Sequence, residues 1–121
     1  MSKDQGFAVW ITGLPASGKS SITRELTTRL DAAGVQAVVL ESDEMRKILT
    51  PEPAYRREER DLFYRSMAMI GEMLTRSGVN VIFDATANKR AYRDRARRFI
   101  RKFVEVYVQC PLEVCTQRDP K

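Results

Sequence analysis

With 121 residues, 43% of them hydrophobic and 31% charged, the sequence suits one soluble globular domain spanning 1–121. It excludes a two-domain protein, and no apolar run approaches the roughly 18 residues that a bilayer span needs. The net charge of +5 favours anionic partners such as nucleotides, sulfate esters or nucleic acid, without choosing among them. The chain has no His, which removes any imidazole base, and Cys110 and Cys115 are too sparse for a disulfide framework or a zinc site. They read as reduced thiols in a cytoplasmic protein. The opening "MSKDQGFAVWITG" passes from a polar lead straight into a strand pattern, so no secretion signal is expected.

In chain order, "FAVWIT" (7–12) reads as a buried strand. A helix follows from about Gly18, with Ile22, Leu26, Leu30 and Ala33 on one face and Gly34 as its stop. "QAVVLE" (36–41) is a second strand, and "DEMRKIL" (43–49) a short helix that Pro51 and Pro53 cannot continue. A longer helix spans about Tyr55 to Ser77, its apolar stripe carried by Phe63, Met67, Ile70 and Leu74, with Gly78 as its stop. "VNVIFD" (79–84) is a third strand. Asn88 is a good N-cap for a helix ending near Lys102, and "FVEVYVQC" (103–110) is a fourth strand. Strands alternating with helices predict a parallel sheet with helices on both faces. Right-handed crossovers put every strand's C-terminal end on one edge, where ligands bind. The loops there begin at Gly13, Ser42, Ala85 and Pro111.

The first of these loops is the most specific. Gly13-Leu14-Pro15-Ala16-Ser17-Gly18-Lys19-Ser20 matches G-x-x-x-x-G-K-[ST] at every fixed position, and Ser21 follows it. The glycines let the backbone approach an anion closely. The amides from about Ala16 to Ser20 point into the loop, and the helix N-terminus adds partial positive charge. Lys19 reaches the β- and γ-phosphates of ATP, and the Ser20 hydroxyl ligates Mg²⁺. The fold class is therefore α/β, a P-loop NTPase-type parallel sheet.

The other strand ends supply the remaining chemistry. Asp43, just past the second strand, can hold a water of the Mg²⁺ shell or take a proton from an attacking hydroxyl. Arg46, one turn later, suits an anionic acceptor, although Ser42 or Asp43 also suits a plain helix cap. Asp84 ends an apolar strand, as a Mg²⁺-shell carboxylate does, or is a turn residue. Arg90, Arg93, Arg97 and Arg101 form a basic stripe opposite Tyr92, Ala96, Phe99, Ile100 and Phe103. Most of that stripe is a solvated face, with Arg90 and Arg93 nearest the crevice.

From about residue 7 to 121 the sequence resembles the adenylylsulfate (APS) kinase family of P-loop kinases. "GLPASGKSS" is close to that family's phosphate loop, and "EVYVQCPLEVCTQRDPK" (105–121) matches more closely still. The resemblance implies transfer of the γ-phosphate of ATP, with Mg²⁺, to the 3′-hydroxyl of adenylyl sulfate. It places Asp43 on the second aspartate of the family's L-D-G-D motif and Arg46 on the arginine after it. Tyr55 and Arg60, in "AYRREER" (54–60), would stack on and grip the acceptor nucleotide; Arg118 begins the family's lid beside ATP. The partners implied are small nucleotides, with no membrane and no nucleic acid, and a homodimer is left open. The family continues past R-D-P-K into a lid and at least one more strand, so the resemblance implies a chain incomplete at its C-terminus.

The sequence also departs from the family pattern. Glu41 and Ser42 replace the first aspartate and the glycine of L-D-G-D, and Phe63 stands where the family has an asparagine near the acceptor. "DATANKR" (84–90) stands for I-S-P-Y-R, so the serine is Ala87 and the proline Asn88. "SDEMRKIL" with "IFDAT" looks like the broader group of small P-loop kinases acting on sugar acids, nucleic-acid ends or aminoacylated tRNA. A non-catalytic nucleotide-binding fragment is the third reading.

Overall fold

The structure, a computed structural model, describes residues 4–13, 18–52, 56–86 and 89–108. Its strands are β1 (Phe7–Gly13), β2 (Ala37–Glu41), β3 (Asn80–Asp84) and β4 (Lys102–Val108). Its helices are α1 (Lys19–Ala32), α2 (Ser42–Leu49), α3 (Arg57–Arg76) and α4 (Arg90–Phe99). All strand pairs are parallel, as the strand–helix alternation predicts, and the strand order is β2-β3-β1-β4.

Side chains alternate across β1 and β3, and each face buries its own cluster. Ala8, Trp10, Val81 and Phe83 pack against Phe63, Tyr64, Met67 and Ala68 of α3 and Tyr92 and Ala96 of α4. Ile11, Ile82 and Val108 face the other way, against Leu26 and Leu30 of α1. The Trp10 and Phe83 rings stack at 4.5 Å in the first cluster. Gly71 lets α3 sit directly on that stack, because a Cβ at this position would overlap the Phe83 ring. Among the described residues no helix is long and apolar enough to cross a membrane.

Four local expectations are corrected. Ile22 is 39% exposed, off the buried face of α1, which Leu26 and Leu30 supply. Ala33 is the C-cap of α1, not a helical residue. The helix expected to reach Lys102 stops at Phe99, with Ile100 extended and buried. Lys102 pairs with Phe7 of β1, so the chain must leave the helix before it. Phe99, expected on the apolar face, is 49% exposed.

Candidate nucleotide-binding site

The strand ends converge on one edge. Asp84 lies opposite Ile11 on one side and Glu41 on the other, and Gly13 lies opposite Val108. The C-terminal ends of β1, β2 and β3 therefore share the edge at which ligands bind in open parallel sheets. Gly18 caps α1 at φ 103°, a left-handed conformation that glycine adopts without a Cβ penalty. It offers no side chain to the first-turn amides, and that turn holds no acidic residue. By contrast, α2 opens with Asp43 and Glu44, and α3 with Glu58 and Glu59. Among the described residues no side-chain cap or acid meets the start of α1, whose first turn carries Lys19, Ser20 and Ser21, and such a helix end favours an anion.

Asp84 is 5% exposed and accepts a hydrogen bond from Thr23 Oγ1 at 3.1 Å. Burial pushes its carboxyl above the ordinary range; the Thr23 hydroxyl opposes this, Glu41 and Asp43 reinforce it, and Lys19 pulls it down. Lys19 and Asp43, both expected from sequence, are therefore within electrostatic reach of Asp84, which was expected beside them. The chain leaving β3 is pinned beside them. The Ala85 amide donates to the Ile11 carbonyl at 3.2 Å, the Trp10 indole to the Ala85 carbonyl at 3.2 Å, and the Thr12 hydroxyl to the Thr86 carbonyl at 2.5 Å.

Among the described residues no three His, Cys, Asp or Glu side chains form a metal cluster. A hydrated Mg²⁺ needs only one or two carboxylates, a hydroxyl and substrate phosphates. A buried aspartate whose ionisation is opposed by its surroundings suits such a cation.

The cap of α2 is Glu41, not Ser42 or Asp43. Its carboxylate accepts from the Asp43 and Glu44 amides, each at 3.0 Å, which leaves the Asp43 side chain exposed. Arg46 lies half-buried with its guanidinium 4.3 Å from the centre of the Phe63 ring and Nη2 3.4 Å from the Tyr64 hydroxyl. Tyr64 stacks on Tyr92 at 4.5 Å, the Tyr92 hydroxyl donates to Asp61 at 2.5 Å, and Lys89 lies 3.9 Å from the same carboxylate. Arg60 is exposed on α3 and close enough to Tyr92 to act on its phenol. Arg90 opens α4 in solvent, paired with Asp94 at 3.5 Å.

Arg93, expected at the crevice, instead ties α4 to β4 through Glu105 at 3.0 Å. Leu14, Pro15, Ala16, Ser17, Tyr55, Ala87, Asn88, Cys110, Cys115 and Arg118 lie outside the described residues. Thr23, Glu41, Tyr64 and Tyr92 join this edge of the fold although the sequence assigns none of them a role there. Thr23 was findable, one helical turn past Lys19 on the same face.

The family model described as adenylylsulphate kinase matches residues 5–121. The adenylyl-sulfate kinase of Rippkaea orientalis is 41% identical over 119 residues, covering 98% of this chain and 66% of the relative. A probable adenylyl-sulfate kinase of Archaeoglobus fulgidus is 38% identical over 115 residues, covering 95% of this chain and 74% of the relative. The Mycobacterium tuberculosis APS kinase CysC, solved in complex with AMPPNP and APS, superposes with a TM-score of 0.87 at 31% identity, covering 98% of this chain and 71% of that one. The chain thus spans about two thirds of the length of its curated relatives. By sequence and by fold, it belongs to the adenylylsulphate kinase family.

Proposed function

We propose that this protein transfers the γ-phosphate of ATP to the 3′-hydroxyl of adenylyl sulfate. The observation that carries this reading is the convergence of Lys19, Asp43 and Asp84 beside the uncapped N-terminus of α1 in a chain of this family. Residues Gly13 to Ser21 cradle the ATP phosphates with backbone amides, and Lys19 bridges the β- and γ-groups. Ser20, Asp84 and Asp43 hold the Mg²⁺ shell. When bound, Mg²⁺ neutralises charge between the β- and γ-phosphates. Asp43 accepts the proton as the acceptor oxygen bonds to the γ-phosphorus and the bond to the ADP oxygen breaks. Arg46, Tyr55, Arg60 and Arg90 hold the acceptor, and Arg118 closes on ATP. Catalysis then rests on positioning and charge neutralisation. The same reading makes residues 1–121 one domain of a cytoplasmic enzyme that acts in sulfate assimilation.

The test is direct. Incubated with ATP, Mg²⁺ and adenylyl sulfate, the full-length protein should yield the 3′-phosphorylated product by chromatography. ADP release only with a sugar acid or a nucleic-acid end would replace the acceptor. ATP binding without transfer to any acceptor would reduce the protein to a nucleotide-binding module.

A further inference from the structure

Only two arginines are half-buried among the described residues, Arg46 and Arg93. Arg93 is neutralised by Glu105. Arg46 has no carboxylate partner among the described residues: on its own helix Glu44 pairs with Lys47, and the cap residue Glu41 accepts from two backbone amides. Its guanidinium lies instead over the Phe63 ring, with one N–H directed at the Tyr64 hydroxyl. A partly desolvated cation held by aromatic faces keeps its charge and most of its five donors for an anion.

The support extends beyond the first contact. Tyr64 is clamped by the Tyr92 ring, and Tyr92 by its hydrogen bond to Asp61. Phe63 is fixed in the core at 1% exposure, edge-on to Tyr64. These contacts lock α2 against α3 and α4 at the height of Arg46.

We propose that Phe63 and Tyr64 are positioning residues, which hold the Arg46 guanidinium so that its remaining N–H groups meet the anionic phosphosulfate of the acceptor. This rests on the kinase reading above for the identity of the anion, but the anchor itself does not. It assigns acceptor selectivity in part to two ring side chains, one of them at a position where the family resemblance leads one to expect asparagine.

The test is a double-mutant cycle in the full-length protein. Tyr64→Phe should raise KM for adenylyl sulfate about threefold to tenfold, with kcat and KM for ATP within about twofold. Phe63→Leu should act in the same direction. In an Arg46→Ala background neither substitution should raise KM further, because the group they position is gone. Equal effects with and without Arg46, or parallel rises in both KM values, would overturn the proposal. The Arg46 Nε–Hε resonance, assigned through Arg46→Lys, should show a ring-current shift that Phe63→Leu abolishes. An unshifted wild-type resonance would overturn the anchor alone. A shifted resonance in a protein that neither binds nor phosphorylates adenylyl sulfate would instead overturn the acceptor, and the ligand assigned to Arg46 with it.

Discussion

Replacing Thr23 by valine keeps the shape of the side chain and removes one hydroxyl. That hydroxyl is the donor to Asp84 Oδ2 at 3.1 Å, and both residues are buried. A hydrogen bond to a charged group contributes about 1.5–3 kcal/mol, and at 5% exposure the carboxylate left behind is poorly solvated. At about 4 °C per kcal/mol for a domain of this size, Tm should fall by about 6–12 °C at neutral pH. The loss should depend on pH. Burial holds the Asp84 carboxyl above its ordinary 3.8, so ionising it in the fold costs stability as pH rises through that window. The Thr23 hydroxyl offsets part of that cost only while Asp84 is ionised. The penalty of Thr23→Val should therefore be full at about pH 7 and shrink toward about pH 4, as Asp84 takes up its proton. Urea denaturation at the two pH values measures both numbers. Thr28→Val is the control: its exposed hydroxyl bonds only the Arg24 carbonyl of its own helix, and its loss should stay within about 0.5 kcal/mol. If Thr23→Val costs no more than Thr28→Val, or costs the same at both pH values, Thr23 does not stabilise an ionised Asp84.

Lys19→Ala should lower product formation by about 10²–10³-fold, the size of effect seen when one transition-state donor is removed; near-normal turnover would contradict the role assigned to it. Asp43→Asn should lower kcat more than it weakens ATP binding, measured by calorimetry, whereas the opposite split would confine Asp43 to the ATP side. Gly71→Ala forces a methyl into the Phe83 ring and should cost about 1–3 kcal/mol in urea denaturation; an unchanged midpoint would mean the α3–β3 packing is looser than described.

The parts of this fold that were readable from sequence are those that depend on local pattern. The apolar runs of β1 and β3 and the stripes of α1 and α3 gave the layers. Gly34 and Gly78, both at positive φ, end the helices as expected. The phosphate-loop motif points to the edge at which β1, β2 and β3 end, and Asp84 stands there at the end of β3. What could not be read depends on partners distant in sequence. Arg93 looks like any residue of a basic stripe until Glu105 of β4 arrives beside it. Asn80 reads as one more residue of the third strand, yet its side chain accepts from the Phe7 amide and donates to the Gln36 carbonyl, tying β3 to both neighbouring segments. Arg46 was readable as a candidate, but not the Phe63–Tyr64–Tyr92 stack beneath it, because aromatic residues at helical spacing look like ordinary core. Glu41 was misplaced because the reading favoured serine and aspartate as caps, while the longer glutamate reached two amides at once.

The distribution of charge leads to a last expectation. Away from the crevice this protein neutralises charge locally: Arg29 with Glu25, Lys47 with Glu44, and Arg97 with Asp94 and Glu105. At the strand ends the balance differs: Glu41 and Asp43 each make ionisation of the buried Asp84 harder, Lys19 eases it, and burial leaves it net opposed. Such an arrangement lowers the stability of the empty protein and favours whatever cation later occupies the edge. Asp84→Asn should therefore raise the neutral-pH Tm of the ligand-free protein, since an amide keeps the Thr23 contact without the buried charge. The same variant should lose most of the extra stabilisation that Mg²⁺ with ATP confers, which for wild type at a hundredfold excess over Kd amounts to about 2.7 kcal/mol. Thermal denaturation with and without Mg²⁺–ATP gives both halves. A variant destabilised when empty, or protected by Mg²⁺–ATP as well as wild type, would show that Asp84 is a structural carboxylate and that the acids at this edge are not gathered for a metal.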